Sequence, residues 1–336
     1  MSERVLVTGG GGFLGAAIVR KLVARGDRVR SVSRKRYPEL EALGVECLQG
    51  DLCDPTVAQR ACDDVSVIHH CAAKPGVWGD ESEFRASNLT ATETLLSAAQ
   101  TAGVEKLIYT SSSSVVFNGQ DVRNGDESIP YPQTFLALYP KYKALAEQKV
   151  LGANSAAGLR TVALRPRLIL GPGDPYLTPR IVEGARTGRL RIVDDGRYLT
   201  DIVDIETITD AHLQAADRLT PDAPHAGKPY FITQGEPVAI GDILNRISVG
   251  CCGKRIEKRI SKSMIRRLGW LIETSYRLLR IKSEPPLTRF TALQFSVDQY
   301  FSCQAAERDF GFKPSVSIDE SLERVFKWWK DTHPNG

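Results

Sequence analysis

The run Arg4-Val-Leu-Val-Thr8-Gly-Gly-Gly-Gly12-Phe-Leu-Gly15 constrains the fold of this chain more than any other segment. An apolar β-branched run passes directly into four consecutive glycines and then into apolar residues at helical spacing through Leu14, Ile18, Leu22 and Val23. The pattern predicts a strand over Arg4–Thr8, a tight turn, and a helix from Phe13 to Ala24. Glycines let the main chain turn sharply and come close to a neighbouring group. Taken alone, they fit a bare strand-to-helix connection. At the start of a helix, however, free N–H groups and the positive end of the helix dipole make such a turn a site for phosphate. Gly9, Gly12 and Gly15 have the GxxGxxG spacing, so Thr8, Gly9, Gly12, Phe13, Leu14 and Gly15 are candidate contacts to a dinucleotide pyrophosphate, and Gly15 lets the helix pack closely on the sheet.

The same alternation continues to about residue 165. Strands are predicted at Arg28 to Ser33, Glu46 to Gln49, Ser66 to His70, Lys106 to Ser112 and Leu159 to Leu164, with a helix from Glu83 to Ala102 among the intervening segments. Alternating strands and helices specify an α/β fold with a Rossmann-type doubly wound parallel sheet. Beyond Arg165-Pro166 the alternation decays into Pro- and Gly-rich sequence. Residues 1–166 are therefore read as a dinucleotide-binding domain and 167–336 as a smaller mixed substrate lobe with C-terminal helices. Later strands can still return to the first sheet.

Composition narrows the function. At 336 residues, with 42% hydrophobic and 25% charged residues, the chain is long enough for an enzyme core and has the make-up of a soluble globular protein. A net charge of +4 without a dense basic tract argues against nucleic acid as a partner. The seven cysteines lack CxxC spacing, so no metal site is expected, and reduced thiols in the cytoplasm are the better reading. The start of the chain leaves no room for a secretion signal ahead of Val5. Ile265 to Ile281 is interrupted by Arg266, Arg267, Glu273, Arg277 and Arg280 and does not span a bilayer. It reads as an amphipathic basic helix that packs as an internal lid over an apolar substrate, with peripheral membrane or partner-enzyme contact as the alternative.

At the end of the second strand, Ser33-Arg34-Lys35-Arg36 stands where an acidic residue would hold the ribose hydroxyls of NAD. Ser33, Arg34 and Arg36 offer hydrogen bonds and positive charge to a 2′-phosphate instead, so NADP (as NADPH) is preferred over NAD. Asp51-Leu52, after the third strand, suits contact with the adenine edge.

Tyr139 and Lys143 in Tyr139-Pro-Lys-Tyr-Lys143 are four residues apart, and on a helix they share one face. A phenol with an ordinary pKa of about 10 exchanges protons poorly at neutral pH, and lowering it by about three units needs roughly 4 kcal/mol, which a nearby ammonium and an oxidised nicotinamide are expected to supply. Ser112 closes a strand at the carboxyl edge of the sheet and can donate to a substrate oxygen. Tyr142 and the neighbouring Ser111, Ser113 and Ser114 are the competing choices. Only Tyr139 has a lysine four positions on.

These residues resemble the extended short-chain dehydrogenase/reductase superfamily, and more narrowly its 3β-hydroxysteroid dehydrogenase-like branch. Within that branch Ala73-Lys-Pro-Gly-Val-Trp78-Gly79 and Pro130-Tyr-Pro-Gln-Thr-Phe135-Leu-Ala are most similar to bacterial 2-alkyl-3-oxoalkanoate reductases of olefin biosynthesis. The resemblance implies a catalytic group of Ser112, Tyr139, Lys143 and Asn88. It also implies cofactor contacts at Ala72, Ala73 and Lys74 after the fourth strand and at Arg165-Pro166. In the reductive direction Tyr139 is expected to donate a proton to the ketone oxygen that Ser112 polarises, with Lys143 holding the nicotinamide ribose and Asn88 steadying Lys143 or a relay water. Sugar dehydratases of the superfamily carry an Asp-Glu pair where this chain has Ser113-Ser114, and that departure points to a simple redox enzyme. The expected substrate is a lipid-like ketone, reduced to a secondary alcohol by a homodimer. A 3β-hydroxysteroid or sterol-4-carboxylate 3-dehydrogenase, and a non-catalytic NADP-sensing regulator, are the rivals.

Overall fold

The computed structural model describes residues 4–334. Seven parallel strands form its central sheet: β1 (Arg4–Thr8), β2 (Arg28–Ser33), β3 (Glu46–Gln49), β4 (Val67–His70), β5 (Lys106–Thr110), β6 (Arg160–Pro166) and β7 (Pro229–Ile232), in the spatial order β7-β6-β5-β4-β1-β2-β3. Strands covered on both faces are largely apolar, and β6 is buried along its whole length, with its two charges, Arg160 and Arg165, paired with Glu105 and Glu147. The order reverses between β1 and β4, which creates a crevice at the carboxyl ends of the strands where ligands bind in such sheets. The seventh strand comes from beyond residue 166: Tyr230 pairs with Leu164 and Ile232 with Pro166.

Helices cover both faces. On one, α1 (Phe13–Arg25) presents Leu14, Ile18 and Leu22 to the core that it shares with α4 (Ile205–Asp217), and it stops at Gly26, whose φ of 90° ends the helix. On the other, α2 (Ala91–Thr101) and α3 (Leu138–Gly152) bury Leu95, Ala99, Ala146 and Val150 against Leu6, Ile68 and Leu107. A separate apolar cluster holds α5 (Ile240–Cys252) to α7 (Ile318–Thr332) through Ile243, Ile247, Leu322 and Val325. Between them in sequence lies α6 (Lys262–Leu278), the basic helix anticipated near Ile265 to Ile281. Among the described residues no helix is long and apolar enough to cross a membrane.

Two elements differ from the periodicity. The helix expected from Glu83 to Ala102 is interrupted by a π-helical turn, Ala86–Thr90, between Glu81–Arg85 and α2. Asn88, within that turn, is 1% exposed, and its side chain bonds the main chain of Lys74. The strand expected to reach Ser112 ends at Thr110, because the Ser112 hydroxyl turns back to accept the Ser114 N–H and caps a short 3₁₀ turn, Ser113–Val116.

Candidate active site

The glycine turn is built for close approach. Gly9 has φ +69°, and a Cβ there would meet the Ala72 backbone at 3.0 Å. A Cβ at Gly15 would run into the Gly9 carbonyl. No side chain caps the start of α1 at Gly12, and its first turn carries no acidic residue. The amides near Phe13 and Leu14 thus head an uncapped helix, a setting that favours an anion. Gly9, Gly12, Ser33, Arg34, Asp51, Leu52, Ala72 and Ala73 line one cleft of about 410 Å³, so the residues present fit a dinucleotide. Sequence reasoning missed Tyr37 and Tyr176, which line the same cleft. Tyr37 lies three residues past Arg34, and its ring occupies the space a Cβ at Gly11 would need.

A buried network fixes this turn to β4. Thr8 is fully buried, and its hydroxyl accepts the amides of Cys71 and Ala72 at 3.2 and 3.1 Å while bonding His70 Nδ1 at 2.7 Å. His70 Nε2 meets the Thr92 hydroxyl at 2.9 Å, and Thr92 in turn donates to the Asn88 carbonyl at 3.1 Å. Burial pushes His70 down to about 3, so it is a neutral connector. Thr8 therefore shapes the cleft from behind it.

At the carboxyl edge, α3 and the end of β5 bring Ser112, Tyr139 and Lys143 together. Tyr139 is partly buried beside Ser112, whose hydroxyl lies 2.9 Å from that of Ser114. One helical turn on, Lys143 is 2% exposed; its ammonium donates to the Thr110 carbonyl and stands 4.0 Å from the centre of the Tyr109 ring. Tyr142 points elsewhere, donating to Glu81 at 2.8 Å. Ser111 and Ser113 are buried with hydroxyls that have no partner among the described residues.

The electrostatics depart from the expectation. Burial pushes the Tyr139 phenol up to about 12, and the nearby Ser112 hydroxyl only partly offsets it. Lys143 does not lower it, because the ammonium is directed at Thr110 and Tyr109 and burial pushes it down to about 7. A fully protonated phenol is nonetheless the form that gives a proton to a developing alkoxide.

Several anticipated contacts fall elsewhere. Arg36 is held by Glu41 at 2.9 Å, on the surface outside the cleft, whereas Arg34 faces the cleft with no ion pair among the described residues. The Lys74 ammonium is paired with Glu83. Asn88 uses both ends of its amide on the Lys74 main chain, so it positions the loop after β4 and does not reach Lys143. Arg165 is buried in an ion pair with Glu147 at 2.6 Å, between the rings of Tyr131 and Phe231, and is a core residue. Pro166 ends β6, also buried.

A second cleft, of about 360 Å³, opens beside the start of α3. Val77, Trp78, Leu138 and Phe290 line it together with Glu273 and Arg277 of α6. Glu273 accepts from both Arg277 and Arg289 at 2.8 Å, and Trp78 donates to the Ile281 carbonyl at 3.1 Å. These contacts hold α6 across the cleft.

Comparison with known proteins agrees with this layout. The profile of the 3-beta hydroxysteroid dehydrogenase/isomerase family matches residues 6–262. A 2-alkyl-3-oxoalkanoate reductase of Stenotrophomonas maltophilia (strain K279a) is 43% identical over 324 residues, 96% of this chain and 98% of that protein. The decarboxylating sterol-4-alpha-carboxylate 3-dehydrogenase of Mus musculus is 33% identical, covering 96% and 90% of the two chains. Among solved structures, gox2253 superposes with a TM-score of 0.79 at 26% identity over 98% of this chain and 99% of that one. MoeE5 in complex with UDP-glucose and NAD does so at 0.74 and 23%, covering 98% and 99%.

Proposed function

The chain belongs to the 3-beta hydroxysteroid dehydrogenase/isomerase family and is an NAD(P)-dependent oxidoreductase acting on CH–OH groups; from that premise we propose that it interconverts a 3-oxo acid and its 3-hydroxy acid, with NADPH as the reductant. The single observation that carries this reading is the Ser112 hydroxyl beside a protonated Tyr139 phenol at the sheet's carboxyl edge, one turn from Lys143. The two relatives named above share a chemical element in their printed substrates: a carboxylate on the carbon next to the one that is oxidised or reduced. A lipid-like 2-alkyl-3-oxoalkanoate is the substrate we favour, because the 43% identity extends over nearly the whole of both chains.

In this scheme a bound nicotinamide supplies the hydride. Ser112 donates to the ketone oxygen and Tyr139 delivers the proton. Lys143 pins α3 to Thr110 and offers its ammonium to the nicotinamide ribose. Arg34 faces the cofactor's 2′-phosphate, which is the basis for preferring NADP. The apolar wall of Val77, Trp78 and Phe290 receives the alkyl chain, and α6 serves as its lid.

A panel of 3-oxo acids and 3-hydroxysterols, run with both cofactors, tests the substrate class; turnover confined to sterols would overturn it. Replacing Tyr139 with Phe is expected to lower kcat by roughly a thousandfold or more while leaving cofactor affinity within about twofold. A variant that keeps most of its activity removes Tyr139 from the mechanism.

A further inference from the structure

The inner face of α6 is committed. Ile265, Gly269 and Glu273 are buried along it, and a Cβ at Gly269 would meet the Thr288 carbonyl at 2.9 Å and the Ala292 side chain at 3.1 Å, so the helix lies tight against Arg289–Gln294. The opposite face is apolar as well. Met264, Leu268, Leu271 and Leu278 follow one another there at helical spacing over about 21 Å, with Ser275 as the polar member of the row and Trp270 and Leu279 at its flanks. These six are exposed, out of nine large hydrophobic residues exposed anywhere among the described residues. A solvated helix face is ordinarily polar, so a row of this kind marks a surface that something covers.

The charge around the row identifies the cover. Residues 254–282 carry ten lysines and arginines against two carboxylates, Glu257 and Glu273; this net +8 leaves −4 for the rest of a chain whose formal charge is +4. Among the described residues Arg277 is the only one of those ten cations in an ion pair, whereas Arg36, Lys74 and Lys141 elsewhere are each met by a glutamate. The unpaired cations stand at both ends of the helix, with Lys262, Arg266 and Arg267 in its first turns and Arg280 and Lys282 beyond its last. An acidic pocket or a single acidic side chain matches charge at one spot. A plane of phosphates meets cations at both ends of an apolar row at once, and basic residues beside exposed Leu and Trp are the composition of a helix that lies in a membrane interface.

We infer that the outer face of α6 docks on the surface of an anionic phospholipid bilayer, with Leu268, Leu271 and Leu278 at the acyl boundary and the flanking cations at the lipid phosphates. The helix lies flat and does not span. Docking sets the cover of the cleft lined by Trp78 and Phe290 against the phase in which a lipid-like substrate dissolves. That consequence rests on the substrate reading above, whereas vesicle binding is measured without substrate or cofactor, so either can fail without the other.

The test is co-sedimentation of the full chain with vesicles of mixed phosphatidylglycerol and phosphatidylcholine, against vesicles of phosphatidylcholine alone. The protein is expected to sediment with the anionic vesicles, to stay in solution with the neutral ones, and to be released at about 0.5 M salt. Leu271→Ser/Leu278→Ser and Arg267→Glu/Arg280→Glu replace exposed side chains, so both should melt as the unmodified chain does, and each should lower the partition coefficient at least about tenfold. No sedimentation with anionic vesicles at low salt overturns the docking whether or not the variants fold. Binding that is unchanged in a folded Leu271→Ser/Leu278→Ser places the contact on another surface and overturns it too. A dimer of the unmodified chain that the leucine variant dissociates, without vesicle binding, gives the face to a second copy and overturns it as well.

Discussion

The glycine turn and α6, the proposed lid, are held in opposite ways. At the turn, Thr8, His70, Thr92 and Asn88 close on one another behind the cleft, and every contact is buried. The lid buries only Ile265, Gly269 and Glu273, and leaves Trp270 52% and Leu278 78% exposed. It is attached through the Glu273 ion pairs and the bond from Trp78. A cofactor of fixed shape can be met by rigid backbone, whereas a substrate of variable chain length calls for a cover that adjusts. The contrast teaches that two clefts of one molecule can be walled in opposite ways, one by buried backbone and the other by a half-exposed helix tied down by ion pairs.

The largest expected effect lies on the rigid side. Glu147→Gln leaves Arg165 buried without its counter-charge and should cost about 3–5 kcal/mol in chemical denaturation; a loss near zero would mean that the sheet edge tolerates unmatched charge generally. Next comes Lys143→Met. The folded pKa of about 7 lies below the unfolded value of 10.5, so the folded state disfavours the ammonium. The unfolded chain then binds more protons between those two values, and stability rises with pH across that window. Lys143→Met should therefore abolish turnover yet stabilise the cofactor-free protein by roughly 1–3 kcal/mol at or below pH 7, with the gain shrinking toward pH 10. A destabilised variant would show that the bond to Thr110 outweighs the desolvation.

Arg34→Ala sharpens the comparison at the cleft's rim. It is expected to weaken NADP binding about tenfold, near 1.4 kcal/mol, with NAD binding unchanged in parallel titrations. An equal loss for both cofactors moves the phosphate contact elsewhere. The smallest effect belongs to the lid: Leu278→Ser should change stability by no more than about 0.5 kcal/mol, since its side chain is exposed. A clear drop in Tm would show that this surface is covered in solution.

The strands, the turn and the spacing of Tyr139 and Lys143 were legible because each follows from local rules. Alternation needs only neighbours in sequence, a glycine turn needs only backbone freedom, and a helix sets residues four apart on one face. Ser112 could be singled out from Ser111, Ser113 and Ser114 only by register. What the residues did not disclose is which charge meets which. Arg36 and Lys74 carry the positive charge a cofactor site calls for, but Glu41 and Glu83 claim them. Glu147 reaches Arg165 only because α3 packs across β6. Asn88 was named a catalytic residue on the resemblance alone, and its partner, the Lys74 main chain, depends on a π turn that no apolar periodicity encodes. The direction of the Tyr139 pKa was hidden for the same reason, since burial outweighs a lysine whose ammonium points away.

The origin of β7 beyond residue 166 has a consequence for biosynthesis. Until Pro229–Ile232 emerges from the ribosome, β6 is an open edge with unpaired amides and carbonyls, the kind of surface that recruits a foreign strand. Cutting the gene at the apparent boundary would leave that edge bare permanently. A truncated product ending near residue 166 should accumulate as aggregate, and supplying the remainder as a separate polypeptide should rescue it only if the two meet during translation.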